Sequence, residues 1–321
     1  MRPWALIANL IAFSLISLTA PAGAQTIKHG QIQLQRPKIG LALGGGGMRA
    51  AAHVGILKAL EDEGIPVDII VGTDMGAVVG GLYSAGVTCE HMEEDFTRRK
   101  LVHAYLSMPL ALRILVIPLF YTPRLIGIEP YDGLYRGKRF ADYLNKHLPE
   151  TERDIEDLKI PFGAVAVNLL DGKKRIFKTG NLGRALQASC AIPALRKPVK
   201  IDDGLYVDGG ALANLPVTET KALGADIVIA CDIDERIEPT EEAAYKKVGS
   251  VSHRVVAMHF NKVDEDEREM ADYIIHPDVT GIGLISTSAR DARLALAAGE
   301  KAGHSAAPAI RELIERYQKK N

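Results

Sequence analysis

Three short stretches of this sequence carry residue types that do chemistry when they are brought together. Gly72-Thr73-Asp74-Met75-Gly76 has the G-x-S-x-G frame of a nucleophile elbow, with an aspartate at its centre. Such an elbow joins a strand to a helix through a strained turn, and the central side chain is pushed out at the top of a sheet. The helix after it aims its positive end at that side chain, so a nucleophile or a developing negative charge is stabilised there. Gly44-Gly45-Gly46-Gly47 precedes Met48-Arg49 and a helix-like segment. The backbone N–H groups of Gly45, Gly46, Gly47 and Met48 can form an anion-binding nest, which in acyl transfer is an oxyanion hole. Arg49 can lock that loop or add positive charge to it, or stand in a surface salt bridge. Asp208-Gly209-Gly210 comes after an apolar run; alone it reads as a turn. Beside the other two motifs, Asp208 reads as the base that takes a proton from a nucleophile, with glycines that let the loop approach another backbone closely.

The elements that must position these residues are legible from periodicity. Ile39–Leu43 is a continuous apolar run, as expected of a central parallel strand buried on both faces. Val54, Ile56, Leu57 and Leu60 form a helical stripe over 50–63, closed by Gly64-Ile65-Pro66. A second strand over 67–71 runs into Gly72 and Gly76, which flank a small-residue helix over 77–85. Strand, glycine loop, helix, strand, sharp turn and helix put both loops at one end of a parallel sheet, where open α/β sheets bind ligands. Further on, Asp171-Gly172 and Asp203-Gly204 signal hairpins. Helices are expected over 138–147, 182–191, 216–223 and 289–317, the last broken at Pro308, and strands over 162–168 and 227–231.

The three motifs in this order resemble the patatin-like phospholipases. That family carries G-G-G-x-R-G, G-x-S-x-G and D-G-G or D-G-A, the last two supplying a Ser–Asp dyad without histidine. Here the first motif reads Gly45-Gly46-Gly47-Met48-Arg49-Ala50, with Ala50 in place of the last glycine. His53-Val54-Gly55-Ile56-Leu57, Ala188-Ser189-Cys190-Ala191-Ile192-Pro193 and the run from Asp208 to Val217 also look like the family. The resemblance spans 38–234, with a looser match beyond. It implies a three-layer α/β/α fold with a mainly parallel central sheet over 38–321, after a leader at 25–37. It also implies carboxylic ester hydrolysis on lipid or phospholipid acyl esters. Asp208 would be the base, Gly45, Gly46, Gly47 and Met48 the oxyanion hole, and Arg49, Gly72, Gly76, Gly209 and Gly210 its support.

The elbow departs from the family at its centre, where Asp74 stands in place of serine. Three readings are open. The chain binds lipid and turns it over poorly or not at all, since attack and proton transfer both need the hydroxyl. Alternatively Asp74 is itself the nucleophile, although a carboxylate attacking an ester gives an anhydride, and two close carboxylates discourage each other's ionisation. In the third reading, Ser84 or Ser189 substitutes. His53, four residues before Leu57, has the register of a side chain that packs on the sheet rather than of a triad member.

Bulk properties narrow the class. With 321 residues, 47% hydrophobic and 6% aromatic, the chain has enough apolar surface for one large domain, and a formal net charge of −1 gives no sign of nucleic-acid binding. Residues 1–24 have a basic start, an apolar core and an Ala22-Gly23-Ala24 cleavage signal, which predicts export to the periplasm or beyond. Residues 101–128 hold many apolar side chains broken by Pro109, Pro118 and Pro123; they read as an apolar lid that touches a membrane surface, or as a buried wall. Cys89, Cys190 and Cys231 match no disulfide framework or metal motif; the last two read as small buried hydrophobes and Cys89 as more exposed. The acidic run from Asp264 to Glu269 reads as a solvated helix face, and no metal or cofactor is expected. Two rivals remain: a lipid- or partner-binding protein without catalysis, and a dinucleotide site in which Gly45-x-Gly47-x-x-Ala50 holds a pyrophosphate and Asp74 a ribose.

Overall fold

The computed structural model describes residues 36–107, 131–150, 153–247 and 249–320. Strands β1 (Ile39–Leu43) and β2 (Ile69–Thr73) are buried at every residue and pair in parallel. They are joined by a short 3-10 turn, Gly47–Ala50, and helix α1 (Ala51–Asp62). Helix α2 (Asp74–Ser84) starts at the residue after β2. The next elements are α3 (Cys89–Thr97), α4 (Lys100–Tyr105), α5 (Lys138–Asn145), β3 (Phe162–Asn168), β4 (Lys173–Phe177), α6 (Leu182–Ser189), β5 (Val199–Ile201) and β6 (Gly204–Asp208). After these come α7 (Val217–Ala222), β7 (Ile227–Cys231), α8 (Ser250–Val263), α9 (Glu265–Met270), β8 (Tyr273–Ile275) and α10 (Ala289–Lys320).

Among the described residues the sheet has eight strands. Strands β3, β2, β1, β7 and β8 are parallel neighbours in that order. β4 and β6 pair β3 in antiparallel fashion, and β5 pairs β6. Alternate residues of the central strands feed two helical layers, as period-2 geometry requires. Ile39, Leu41 and Leu43 join the large apolar core that includes residues of α1, α2 and α10. Ala42, Val228 and Ala230 pack with Leu215 and Val217 at the start of α7. This is the expected three-layer, mainly parallel α/β arrangement.

The register of β3 has one consequence for the site. β2 pairs with Phe162 to Val165, and β6 pairs with Ala166 to Asn168. β4 pairs with Ala164 to Asn168 and so overlaps both. A strand has two edges, so β2 and β6 must share the edge opposite β4. They arrive end to end, with Thr73 beside Val165 and Asp208 beside Ala166.

Several local expectations differ from the structure. β2 lies two residues later than the apolar run suggested. α10 continues through Pro308, whose side is solvent-facing, so proline does not end it. Its Gly299 sits so close to α1 that a Cβ there would overlap the Ala52 carbonyl. Cys89 is buried at 2% exposure, because α3 turns it into the core with Met92 and Phe96. The export segment 1–24, most of the leader and most of the apolar stretch 101–128 lie outside the described residues. Arg36, at the leader's end, is tied by two hydrogen bonds to the Asp68 carboxylate at 2.6 and 2.7 Å. Among the described residues no helix is long and apolar enough to cross a membrane.

Candidate active site

Asp74 is the first residue of α2 and has φ 50°, in the left-handed region. A side chain there is costly for any residue but glycine, and such strain collects at functional turns. The elbow is braced from below: a Cβ at Gly76 would meet the carbonyl oxygens of Leu43 and Gly44, so only glycine lets α2 rest on the glycine loop. Gly72 and Gly209 stand at similar backbone approaches, to Ala77 and to Val165. Thr73 donates its hydroxyl to the Ala213 carbonyl at 2.8 Å, which ties the elbow to the Asp208 loop.

The Asp74 side chain turns onto the glycine loop. Its Oδ2 accepts the N–H groups of Gly46 and Gly47 at 3.2 and 3.1 Å. Among the described residues its Oδ1 has no hydrogen-bond partner. The expected four-amide nest is thus reduced to two. The Gly45 amide donates to the Asn214 carbonyl, and the Met48 amide donates to the Leu284 carbonyl, each at 3.1 Å. Asp208 ends β6, and its Oδ1 accepts the Gly210 amide at 2.8 Å. Both acids are almost fully buried, at 6% and 7% exposure.

Burial pushes the Asp74 carboxyl above its ordinary value, against the lowering pull of the Gly47, Met75 and Gly46 amides. Burial, together with the neighbouring Asp74 charge, pushes Asp208 well above the ordinary carboxylate range. The amides favour the charged form of Asp74, and burial beside that charge favours the neutral form of Asp208.

The other candidates take supporting places. Arg49 is buried; its Nε donates to the Ile282 carbonyl at 2.6 Å and its Nη2 to Glu235 at 2.9 Å, which clamps the glycine loop to the chain's later half. His53 is fully buried on α1 and its Nε2 lies 2.8 Å from the Gly44 carbonyl. A carbonyl only accepts, so Nε2 carries the proton. Burial lowers the His53 pKa to about 4, so the ring is neutral and faces the back of the loop. Ser189 is fully buried and its hydroxyl accepts the Asp74 amide at 3.0 Å, beneath the elbow; Ser84 is fully buried in α2. Burial, with the neighbouring Asp74 charge, raises the Cys190 thiol well above its ordinary value.

One supporting layer leaves little mark on local sequence. Asn214 donates its side-chain amide to Asp234 Oδ1 at 3.1 Å. Asp264 Oδ1 accepts the Asn214 and Leu215 amides at 3.1 and 2.8 Å. Glu267 accepts the Thr218 amide at 2.7 Å. The acidic run is therefore not a solvated face throughout: Asp264 and Glu267 are buried and anchor the loop after Asp208. Burial, with the Asp232 charge beside it, pushes Asp234 up to about 8. Burial opposes ionisation of Asp232 too, yet hydrogen bonds from His276 and Arg268 hold it at about 2. The only sequence signal for this layer is the loop from Asn214 to Val217.

An apolar cleft leads to Asp74. It is lined by Met48, Met75, Phe96, Leu101, Val102, Tyr105, Leu106, Ile192, Leu195, Leu284 and Ile285. It can take an apolar chain and present a polar junction to the elbow.

Comparison with known proteins places the chain among relatives. A family model described as patatin-like phospholipase matches residues 41–221. An uncharacterized NTE family protein of Mycobacterium tuberculosis is 35% identical over 200 residues, covering 62% of this chain and 49% of that protein. A protein of Mycosarcoma maydis named as a lysophospholipase is 34% identical over 207 residues, covering 64% of this chain and 10% of its own length. The chain thus spans half or less of these curated relatives. The solved structure of VipD from Legionella pneumophila aligns with a TM-score of 0.49 at 15% identity, over 86% of this chain and 67% of that one.

Proposed function

This chain belongs to the patatin-like phospholipase family, a family of lipid acyl hydrolases, and we propose that it binds lipid acyl esters at the Asp74 cleft while turning them over slowly or not at all. The observation that carries this reading is the pair of hydrogen bonds from Gly46 and Gly47 to Asp74 Oδ2. Ester hydrolysis on this frame needs an elbow hydroxyl that gives its proton to Asp208 and attacks the acyl carbon. The carbonyl oxygen then becomes an oxyanion held by the glycine amides. Here the elbow's centre has no hydroxyl, and its carboxylate occupies the donors the oxyanion would use. Burial and the Asp74 charge both push Asp208 well above the ordinary carboxylate range, which works against its role as a base. The apolar cleft still accommodates an acyl chain. The described start of the apolar stretch, Leu101 to Leu106, lines that cleft, which supports contact between this side of the molecule and lipid. Residues 1–24 support export as the setting.

A p-nitrophenyl ester assay tests the proposal. The chain as it stands is expected to hydrolyse weakly. Asp74→Ser both supplies the hydroxyl and frees two donors, each of which is typically worth about 100-fold or more in rate. A gain of at least ~100-fold is expected. An unmodified chain whose rate Asp74→Ser does not raise would overturn the proposal, and loss of that rate in Asp74→Asn would assign the attack to the carboxylate.

A further inference from the structure

Away from the cleft, α3 and the end of α5 bring together a histidine, an aspartate and a second histidine. His91 and Asp95 are four residues apart on α3 and share a face. His147, just past α5, places Nε2 2.6 Å from Asp95 Oδ2. The two histidine rings meet edge to face at 5.0 Å. One ligand atom from each of the three lies within 4.8 Å of the others.

Two details bear on a cation at this cluster, one that makes a place for it and one that says what it must displace. Asp95 is buried at 2% exposure, yet among the described residues its Oδ1 has no hydrogen-bond partner. His147 Nδ1 lies 3.2 Å from the Tyr143 carbonyl, which only accepts, so Nδ1 carries the ring proton. Nε2 then turns its lone pair toward a carboxylate oxygen. At 2.6 Å a proton lies between the two atoms; an ion bound to both would replace that proton and part them to about 3.3 Å. A backbone carbonyl holding the far ring nitrogen is the outer-shell contact that metal-bound imidazoles commonly use. The other groups facing Asp95 are the Tyr143 hydroxyl and Lys100. Lys100 Nζ is 3.6 Å from Oδ1, beyond hydrogen-bond reach, and is shared with Glu94 at 3.5 Å. A solvent-open depression reaches the trio and provides an entry path.

We propose that His91, Asp95 and His147 form a binding site for one first-row transition dication, with zinc the best fit to two imidazoles and one carboxylate. The ion takes the place of the second His147 ring proton and leaves a coordination position for water from the depression. It ties α3 to the end of α5 across 52 residues of chain.

The test is calorimetric titration of zinc chloride into untagged, chelator-stripped full chain, with cobalt(II) absorption as a second readout. One saturable site per chain, a zinc-raised Tm and the visible bands of a low-coordinate cobalt site are expected. His91→Ala, at an exposed helix position, weakens binding by about tenfold or more, and His147→Gln does the same. Lys100→Ala does not weaken it. His304→Ala, which disables the surface trio Asp62, Glu300 and His304, leaves it unchanged. Absence of saturable binding, or affinity that survives His91→Ala, overturns the proposal; if His147→Gln fails to fold, His91→Ala decides alone.

Discussion

At the scale of single residues, Asp74 and Asp208 form a pair in which one acid is solvated by amides and the other is kept neutral. Asp208 holds its proton in the fold, whereas the unfolded chain releases it above the ordinary carboxylate value of about 3.9. Stability therefore falls as pH rises past that value and keeps falling until the raised folded pKa is passed. Asp208→Asn, which stays neutral, is expected to raise Tm more at pH 8 than at pH 4; an equal shift at both would contradict the protonated Asp208. His53 works in the opposite sense. Its folded pKa of about 4 lies below the unfolded 6.5, so its contribution is intact above 6.5 and is lost as pH falls toward 4. The loss is about 3 kcal/mol. His53→Gln, whose amide can still donate to Gly44, should flatten that part of the curve in urea unfolding. The glycine loop, the elbow and Asp208 were legible in the sequence because each is a short run with its own geometry. Asn214, Asp234 and Asp264 were not, because their meaning lies in contacts between segments far apart in the chain.

At the scale of elements, the strands with both faces covered were the easiest to read. β3 and β7 carry unbroken apolar runs and lie where those runs lie. α8 gave no such signal, since Val251, Val255 and Met258 are exposed and only Ala257 is buried. β8 has three residues and borrows its stability from β7. Pro308 misled for a physical reason: proline removes one backbone hydrogen bond, but α10 is held by Ala306, Ala307 and Ile310, all buried around it. Packing outweighs the local cost, which is about 3 kcal/mol in an isolated helix interior. Pro308→Ala at this solvent-facing position should therefore stabilise the protein by up to about 3 kcal/mol, measured by chemical denaturation, with the fold unchanged. A destabilised variant would mean that the proline ring itself packs.

At the scale of the whole molecule, the three chemical motifs all lie before residue 211, but the site depends on the last third of the chain. The Gly44 amide donates to the Cys231 carbonyl and the Met48 amide to Leu284. Arg49 reaches Ile282 and Glu235. Without β7, strand β1 becomes a bare edge, and without α10 the Ala52 side of α1 faces water. A chain ended after Gly224 should lack cooperative unfolding, seen as a sloping thermal trace, while the full chain melts in one step. A sharp transition in the shorter chain would show that the motif-bearing part folds alone. Nothing in residues 38–211 announces this dependence, because a strand reads the same whether its partner is near or far in sequence.

The meeting of β2 and β6 on one edge of β3 makes that strand a ruler. The gap between the elbow and Asp208 is counted in β3 residues, here the single step from Val165 to Ala166. It can change only in increments of about 3.3 Å, and each single step also swaps the face on which the side chains stand. The two acids cannot drift apart gradually under mutation: the pair is either kept in step or lost altogether, so chemistry at this site can be altered by exchanging atoms in place but not by adjusting the spacing.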